Sequence, residues 1–192
     1  MADRIECFWM VPTELAAQDL RRYESRAGVE RTCPGRMGYH DASVRIEDIP
    51  HPGGPEAPGV YDHGRHDFPH DDPRWPKVCA GCGKPFEDDD PWQHNIHRLY
   101  RGAPDGKLYS TRDMPPGAMY DAWWWPEPGP DGIRLAVVLP PDGGDDVWMP
   151  DRPSKQGTPW KRTGAPPKVT ATPSVQTSRW HGYLTDGFLV PC

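Results

Sequence analysis

The sequence is short of aliphatic side chains, and this shortage limits the kind of core that it can form. Leu, Ile, Val and Phe together number 28 of the 192 residues, whereas Pro and Gly together number 46. Such a composition approaches that of disordered chains. The net charge of only −6 and the nine tryptophans oppose disorder, because each buried aromatic ring removes roughly 150–250 Å² from water. We therefore expect one loop-rich domain with an aromatic core, and we exclude a large aliphatic core.

Long apolar runs and regularly spaced cysteines are also missing. No segment approaches the roughly 20 apolar residues that a membrane-spanning helix requires, and no charged and then apolar leader opens the chain. The five cysteines form an odd set without a regular framework, so no disulfide pattern is indicated. We therefore expect no membrane contact, a location in the cytoplasm of the host cell that makes the protein, and reduced thiols that are available for a metal.

A pair of cysteines three positions apart is the most informative motif. Cys79 and Cys82 lie in the run Val78–Phe86, which is rich in turn-forming residues. A tight turn with this spacing directs both thiolates at a point about 2.3 Å away, as in one half of a tetrahedral zinc site. Redox dithiols share the spacing but begin a helix at the first cysteine, and Gly83 and Pro85 oppose a helix here. The motif predicts a structural Zn²⁺ ion, with a redox dithiol or plain reduced cysteines as the alternative.

Two histidines follow at a distance that suits the second half of such a site. Asp90 can cap a helix and Pro91 suits its first position, so His94 and His97 would project from one helical face. The run resembles a short Cys2His2 finger, although it is one residue short before His94 and tight between the histidines. The predicted metal ligands are Cys79, Cys82, His94 and His97.

A second ligand set stays open. Cys33 lies in another turn, Thr32–Arg36, and His40 follows it. A zinc ribbon could join Cys33 and His40 to Cys79 and Cys82 across a long insertion. This alternative fits the expected spacing less well, but its turn chemistry is better.

The hydrophobic pattern indicates an α+β fold: a small, loop-rich, zinc-stapled domain with antiparallel β-hairpins and one or two short helices. From Thr13 onward, apolar residues at helical spacing predict an amphipathic helix that Gly28 can close. A strand over 132–139 with a return over 147–149 predicts one hairpin. The turn at 185–187 predicts a second hairpin at the end of the chain.

Changes in composition divide the chain into four segments. Residues 1–49 form an N-terminal strand and helix, 50–76 a linker rich in Pro, Gly and His, 77–102 the zinc-finger-like segment, and 103–192 an antiparallel β unit. The β unit contains a basic extended connection over 152–179, with six basic residues and no acidic one. This connection could contact nucleic-acid phosphates without sequence specificity.

The β unit also contains three adjacent tryptophans, Trp123–Trp125. Successive side chains of a strand point to opposite faces, so the three rings cannot all be buried on one side. We expect at least one ring to be exposed or to contact a partner.

Several stretches resemble a known group of proteins. They are 70–76 with Cys79, Cys82 and Phe86, then 113–120, 129–132 and 180–187. Together they are similar to uncharacterised proteins encoded by phages and prophages of high-GC hosts, mainly actinobacteria, that carry a Cys-x2-Cys zinc-finger-like segment. The resemblance implies a phage gene product and carries no activity with it.

Three classes of function remain. The first is a non-enzymatic zinc-binding protein that contacts a host or phage protein, or nucleic acid, inside an infected cell. The second is a virion component of the capsid, connector or tail. The third is a small metal-dependent HNH-like nuclease, suggested by the run 94–97, although the acidic net charge opposes approach to DNA. No nucleophile–base pair or phosphate-binding loop is recognisable, so the sequence favours a non-enzymatic role.

Overall fold

The chain is all-β in the part that the structure describes, which comprises residues 4–24, 33, 40–53, 68–140, 147–152 and 160–192. This computed structural model has twelve strands and no helix within those ranges. The expected α+β class is therefore wrong. Nor do the described residues include a helix long and apolar enough to cross a bilayer.

The three longest strands belong to one sheet. In chain order they are β1 (Ile5–Glu6), β2 (Phe8–Trp9), β3 (Val11–Tyr23), β4 (Asp41–Pro50), β5 (Trp92–Arg101), β6 (Ala118–Asp121), β7 (Leu135–Val138), β8 (Val147–Trp148), β9 (Lys161–Ala165), β10 (Lys168–Gln176), β11 (His181–Thr185) and β12 (Phe188–Pro191). Residues 54–67 of the predicted linker and residues 25–28 of the first predicted helix lie outside the described residues.

The first predicted helix, which was to start at Thr13, is replaced by strand β3. The side chains buried on one face of this strand are Ala16, Gln18, Leu20 and Arg22. A separation of four positions fits one face of a helix and also one face of a strand, so Ala16 and Leu20 could not discriminate between them. Gln18 and Arg22 lie on the same face but are polar, so the alternation of apolar and polar residues that is typical of a strand is missing from the sequence. Pairing with β4 on one side and β5 on the other decides the outcome.

The second predicted helix, after Asp90 and Pro91, is replaced by strand β5. Asp90 closes a turn instead of capping a helix, because its carboxylate accepts a hydrogen bond from the Glu87 backbone at 2.8 Å. His94 and His97 are an odd number of positions apart, so in a strand they project to opposite faces of the sheet. The helical face that was to present both rings to one metal is therefore absent.

Two compact units make up the chain. One is formed by Met1–Thr13 together with Leu99–Cys192, and the other by Glu14–Arg98. The second unit contains a three-stranded sheet in the order β4-β3-β5, with β3 in the centre.

The first unit is built from two sheets that share one core. A five-stranded antiparallel sheet has the order β1-β12-β11-β10-β9, and a four-stranded sheet has the order β2-β6-β7-β8. The four-stranded sheet contributes Met119, Leu135 and Val137 to the core, and the five-stranded sheet contributes Leu184 and Leu189. The few aliphatic residues of the sequence are thus concentrated here.

Both predicted hairpins are confirmed in the first unit. β7 pairs with β8, and β11 pairs with β12, each in antiparallel fashion. The turn between β11 and β12 places Asp186 at φ 45° and Gly187 at φ 76°, as a type I′ turn requires. The segment predicted to be a basic extended connection contains a third hairpin, formed by β9 and β10.

The three adjacent tryptophans occupy a turn after β6. Trp124 is 45 % exposed, whereas Trp123 and Trp125 are partly buried. The expectation that at least one of these rings is exposed is confirmed.

Aromatic rings supply much of the packing in the second unit. Trp75 is buried, and its ring meets that of Trp92 edge-on with 4.9 Å between the centroids. His70 stacks on Trp92, and the Arg22 guanidinium lies 3.9 Å from the centre of the same ring. Aromatic packing of the expected kind is therefore present in this unit, and the first unit also buries Tyr100, Tyr120 and Trp148.

A buried arginine joins three segments of the first unit. The Arg162 side chain is 1 % exposed, and its two terminal nitrogens donate to both carboxylate oxygens of Asp131 at 2.8 and 2.6 Å. Its Nε donates to Asp151 at 2.9 Å. The hydrogen bonds from Arg162 lower the pKa of Asp131 below its ordinary value of 3.8. Arg162 belongs to the predicted basic segment, so part of that positive charge is neutralised inside the protein.

Replacing Asp131 by Asn is expected to lower the free energy of unfolding at pH 7 by about 2 kcal/mol, because a charge-assisted bidentate contact to a buried guanidinium is lost. The pKa of Asp131 is lower in the folded than in the unfolded state. Its contribution is therefore present above pH 3.8 and is lost as the pH falls below that value. Urea unfolding of wild type and variant should show a difference that shrinks from pH 7 toward pH 3. The control is Glu127→Gln, at an exposed site, and an equal loss in both variants would contradict the prediction.

Candidate metal centre

Four side chains that could hold a metal ion come together in the second unit. The ligand atoms of Cys33, His40, Cys79 and Cys82 all lie within 4.8 Å of one another. The sulfurs of Cys33 and Cys79 are 3.6 Å apart, and Nδ1 of His40 is 3.1 Å from the Cys82 sulfur. Cys33 and Cys79 are buried and Cys82 is exposed. Three sulfurs and one imidazole nitrogen around one point form a donor set for a thiophilic metal ion.

Backbone hydrogen bonds hold the cysteine turn in shape. The Cys79 N–H donates to the Lys84 carbonyl at 2.8 Å, and the Gly83 N–H donates to the Cys79 carbonyl at 2.9 Å. The Gly81 N–H donates to the Cys79 sulfur at 3.3 Å. Gly83 has a φ of 77°, in the left-handed region that glycine adopts without strain. The turn expected from the sequence is therefore present, and it brings both of its sulfurs into the four-residue group.

The local environment favours the thiolate form of Cys79. Burial, the largest single influence, raises the pKa of this thiol, but hydrogen bonds together outweigh it. They involve the His40 side chain, the backbone N–H groups of Gly81 and Cys82, and the Cys33 side chain. The resulting pKa is about 6, compared with an ordinary value of 9.0. The lowered pKa favours the thiolate of Cys79, which is the form that binds a metal.

Strand pairing brings His40 to the cysteine turn. His40 directly precedes β4, which is antiparallel to β3 and pairs Asp41 with Tyr23. One residue further along, the Glu24 N–H donates to the His40 carbonyl at 2.9 Å. The Ala80 N–H of the cysteine turn donates to the Asp41 carbonyl at 3.0 Å. The imidazole and the cysteine turn are therefore attached to the same end of the sheet.

The two histidines predicted as ligands have partners in β3. Nε2 of His94 is 2.8 Å from the Gln18 side-chain oxygen, and Nε2 of His97 is 3.3 Å from the Asp19 carboxylate. Among the described residues, the group of potential metal ligands includes the predicted cysteine pair but neither of these histidines. The structure instead joins the cysteine pair to Cys33 and His40, the ligand set that the sequence left as the alternative.

Comparisons with known proteins give no relative on which an assignment could rest. No protein-family model matches the chain. No curated protein and no solved structure matches it either. The function is therefore argued from the geometry of this centre.

Replacing His40 by Ala is expected to weaken metal binding by more than about 100-fold, since loss of a partner outside the ligand shell already costs about 10–100-fold. Replacing His94 or His97 by Gln should leave the affinity within about threefold of wild type, because neither ring belongs to the group. Competition titration with a chromophoric chelator measures all three variants. The opposite pattern, with metal lost in the His94→Gln or His97→Gln variant and kept in His40→Ala, would restore the ligand set first predicted.

Proposed function

We propose that this chain is a non-enzymatic zinc-binding protein, in which a structural Zn²⁺ ion held by four side chains stabilises the second unit, and that it acts by binding another protein. The observation that carries the proposal is the convergence of Cys33, His40, Cys79 and Cys82 within 4.8 Å. These residues come from three separate stretches of the sequence.

The chemistry and the spacing of the donors support zinc. Three thiolates and one imidazole suit Zn²⁺, whereas Mg²⁺ and Ca²⁺ prefer oxygen ligands. With zinc at about 2.3 Å from sulfur and about 2.0 Å from nitrogen, tetrahedral angles give S–S edges of about 3.8 Å and N–S edges of about 3.5 Å. The corresponding separations of 3.6 Å and 3.1 Å are close to these edges. The four donors can thus surround one zinc ion with small side-chain adjustments.

The number of ligands supports a structural role. Catalytic zinc sites have three protein ligands and leave a fourth position for water or substrate. Here four protein ligands would complete the tetrahedron. Binding of zinc to a set of this kind contributes on the order of 10 kcal/mol to folding, which is large for a unit whose sheet buries several polar residues. Within the second unit, the buried polar side chains of that sheet are Gln18, Arg22, His94, Asn95, His97 and Arg98.

Exposed apolar side chains near the centre support a protein partner. Val78 directly precedes Cys79 and is 46 % exposed, and Val44 on β4 is 40 % exposed. Both belong to segments that the proposed ligands anchor. A nucleic-acid partner has less support, because Arg162 of the basic segment forms internal ion pairs.

A nuclease has less support still. His97 is one of the two histidines of the HNH-like run 94–97, and it would have to act as the general base. Its side chain is 1 % exposed and lies beside Asp19. A general base must be within hydrogen-bond reach of the water that it activates. Its burial does not favour that role.

Elemental analysis of the purified chain tests the zinc assignment. We expect one zinc per wild-type chain and a loss of most of it in Cys33→Ser and Cys82→Ser. Cys192→Ser is the matched control, because Cys192 is an exposed free cysteine like Cys82 and lies outside the group. Removal of zinc with a strong chelator should abolish the cooperative unfolding of the second unit. Hydrogen exchange of the β3 and β5 backbone amides measures this unfolding. Full zinc content with unchanged stability in Cys33→Ser would defeat the proposal.

Cross-linking tests the binding role. Because the sequence resembles phage-encoded proteins, a partner is sought in lysate from infected actinobacterial cells, with zinc-loaded wild type as bait. Val78→Asp should reduce the yield of the cross-linked partner at least fivefold. Tyr183→Asp, at an equally exposed apolar position of the first unit, should not reduce it. Equal capture by both variants would contradict binding of the partner through Val78. No capture by wild type would contradict the proposed binding of another protein.

A further inference from the structure

Each ring nitrogen of His40 faces a different group. Nδ1 lies 3.1 Å from the Cys82 sulfur, inside the ligand group. Nε2 lies 3.7 Å from the Glu24 carboxylate oxygen Oε2. A neutral imidazole can bind a metal through only one nitrogen and carries its proton on the other. The arrangement therefore favours a tautomer in which Nδ1 binds the metal and Nε2 bears the hydrogen.

Glu24 has one oxygen available for that hydrogen. Its Oε1 accepts from the Lys84 ammonium group at 2.6 Å. Its Oε2 is buried and has no hydrogen-bond partner in the described structure. A buried carboxylate oxygen without a donor is costly. Nε2 of His40 lies 3.7 Å from this oxygen, so a small side-chain shift would make its N–H the missing donor.

Two hydrogen bonds fix the position of Glu24. Its backbone N–H donates to the His40 carbonyl, which places it directly opposite the histidine at the end of β3. Its side chain accepts from Lys84, whose carbonyl accepts from the N–H of Cys79. Glu24 is thus bonded to two of the three segments that carry the proposed ligands, those of His40 and of the cysteine turn. The ammonium group of Lys84 also offsets the negative charge that Glu24 adds beside three thiolates.

We infer that Glu24 is a positioning residue of the metal centre: its carboxylate accepts the Nε2–H of His40 and so commits Nδ1 to the metal. This inference rests on the proposed zinc site. Metal-bound histidines generally donate their second ring nitrogen to a carboxylate or carbonyl, and loss of that partner reduces metal affinity about 10–100-fold. No pattern in the sequence around residue 24 indicated this role.

Nitrogen NMR of the zinc-loaded or cadmium-loaded full-length protein tests the tautomer directly. For wild type we expect the metal on Nδ1 of His40 and a proton on Nε2, with coupling between ¹¹³Cd and Nδ1. A metal bound to Nε2 would overturn the inference. This measurement needs no substitution, so it does not depend on how well a variant folds.

Metal affinity of Glu24 variants supplies the second test. Glu24→Ala should bind zinc about 10–100-fold more weakly in a competition titration. Glu24→Gln keeps a side-chain oxygen that can accept from Nε2–H and should recover at least half of the loss on a logarithmic scale. Glu14→Ala is the matched control, because Glu14 is an exposed glutamate of β3, the strand that Glu24 directly follows. Wild-type affinity in Glu24→Ala, or equal loss in the Ala and Gln variants, would overturn the positioning role.

The two proposals fail in different ways. If wild type binds no zinc, or keeps its zinc in the Cys33→Ser variant, the zinc centre itself is wrong. If zinc binding depends on the four ligands and yet is insensitive to Glu24, only the inference about Glu24 is wrong.

Discussion

The antiparallel pairing of β3 with β4 is the contact on which the metal centre depends. After a register shift between Gln18 and Asp19, the pairing continues to Tyr23 and Asp41. The residues just beyond that pair, Glu24 and His40, therefore meet at the same end of the sheet. The cysteine turn then attaches to that end through the hydrogen bond from Ala80 to Asp41. The segments that carry His40, Cys79 and Cys82 are held together by backbone bonds that do not involve a metal. A zinc ion bound by the four side chains would add cross-links to this end of the sheet.

Local chemistry was sufficient to predict the cysteine turn and the two hairpins. The Cys-x2-Cys spacing and the glycine that follows it specify a turn whatever the rest of the chain does. The Asp186-Gly187 pair likewise specifies a tight turn, because few other residue pairs adopt left-handed backbone conformations at both positions. These features depend on residues that are adjacent in sequence, and the sequence predicted them correctly.

The helices were predicted wrongly because the deciding contacts are not local. Ala16 and Leu20 are compatible with a helix, and the bonds that make β3 a strand come from β4 and β5. The choice between His40 and His94 as a ligand had the same origin. A finger-like spacing favoured the histidine close in sequence, whereas sheet pairing brings the distant one to the cysteines. The turn-forming residues of Thr32–Arg36 did indicate Cys33 as a possible ligand. The long separation between Cys33 and Cys79 was the reason for ranking that ligand set second.

The shortage of aliphatic residues is met differently in the two units. The first unit packs most of the buried Leu and Val side chains of the described residues between its sheets. The second unit packs Trp75, Trp92 and the Arg22 guanidinium, and it buries histidines and arginines in its sheet. Buried polar groups stabilise a fold only when each has its partners. A metal ion bound by the candidate centre would add stability that the few aliphatic residues of this unit do not supply.

The pairing of the first strand with the last also constrains the order in which the chain can assemble. β1 and β12 are neighbours in the five-stranded sheet, so this sheet cannot be completed until residues 188–191 have left the ribosome. All four residues of the metal centre have emerged by Cys82, more than a hundred residues earlier. During synthesis the unit of residues 14–98 is therefore available to fold first. Strand β1 can pair only later, when β12 has been synthesised.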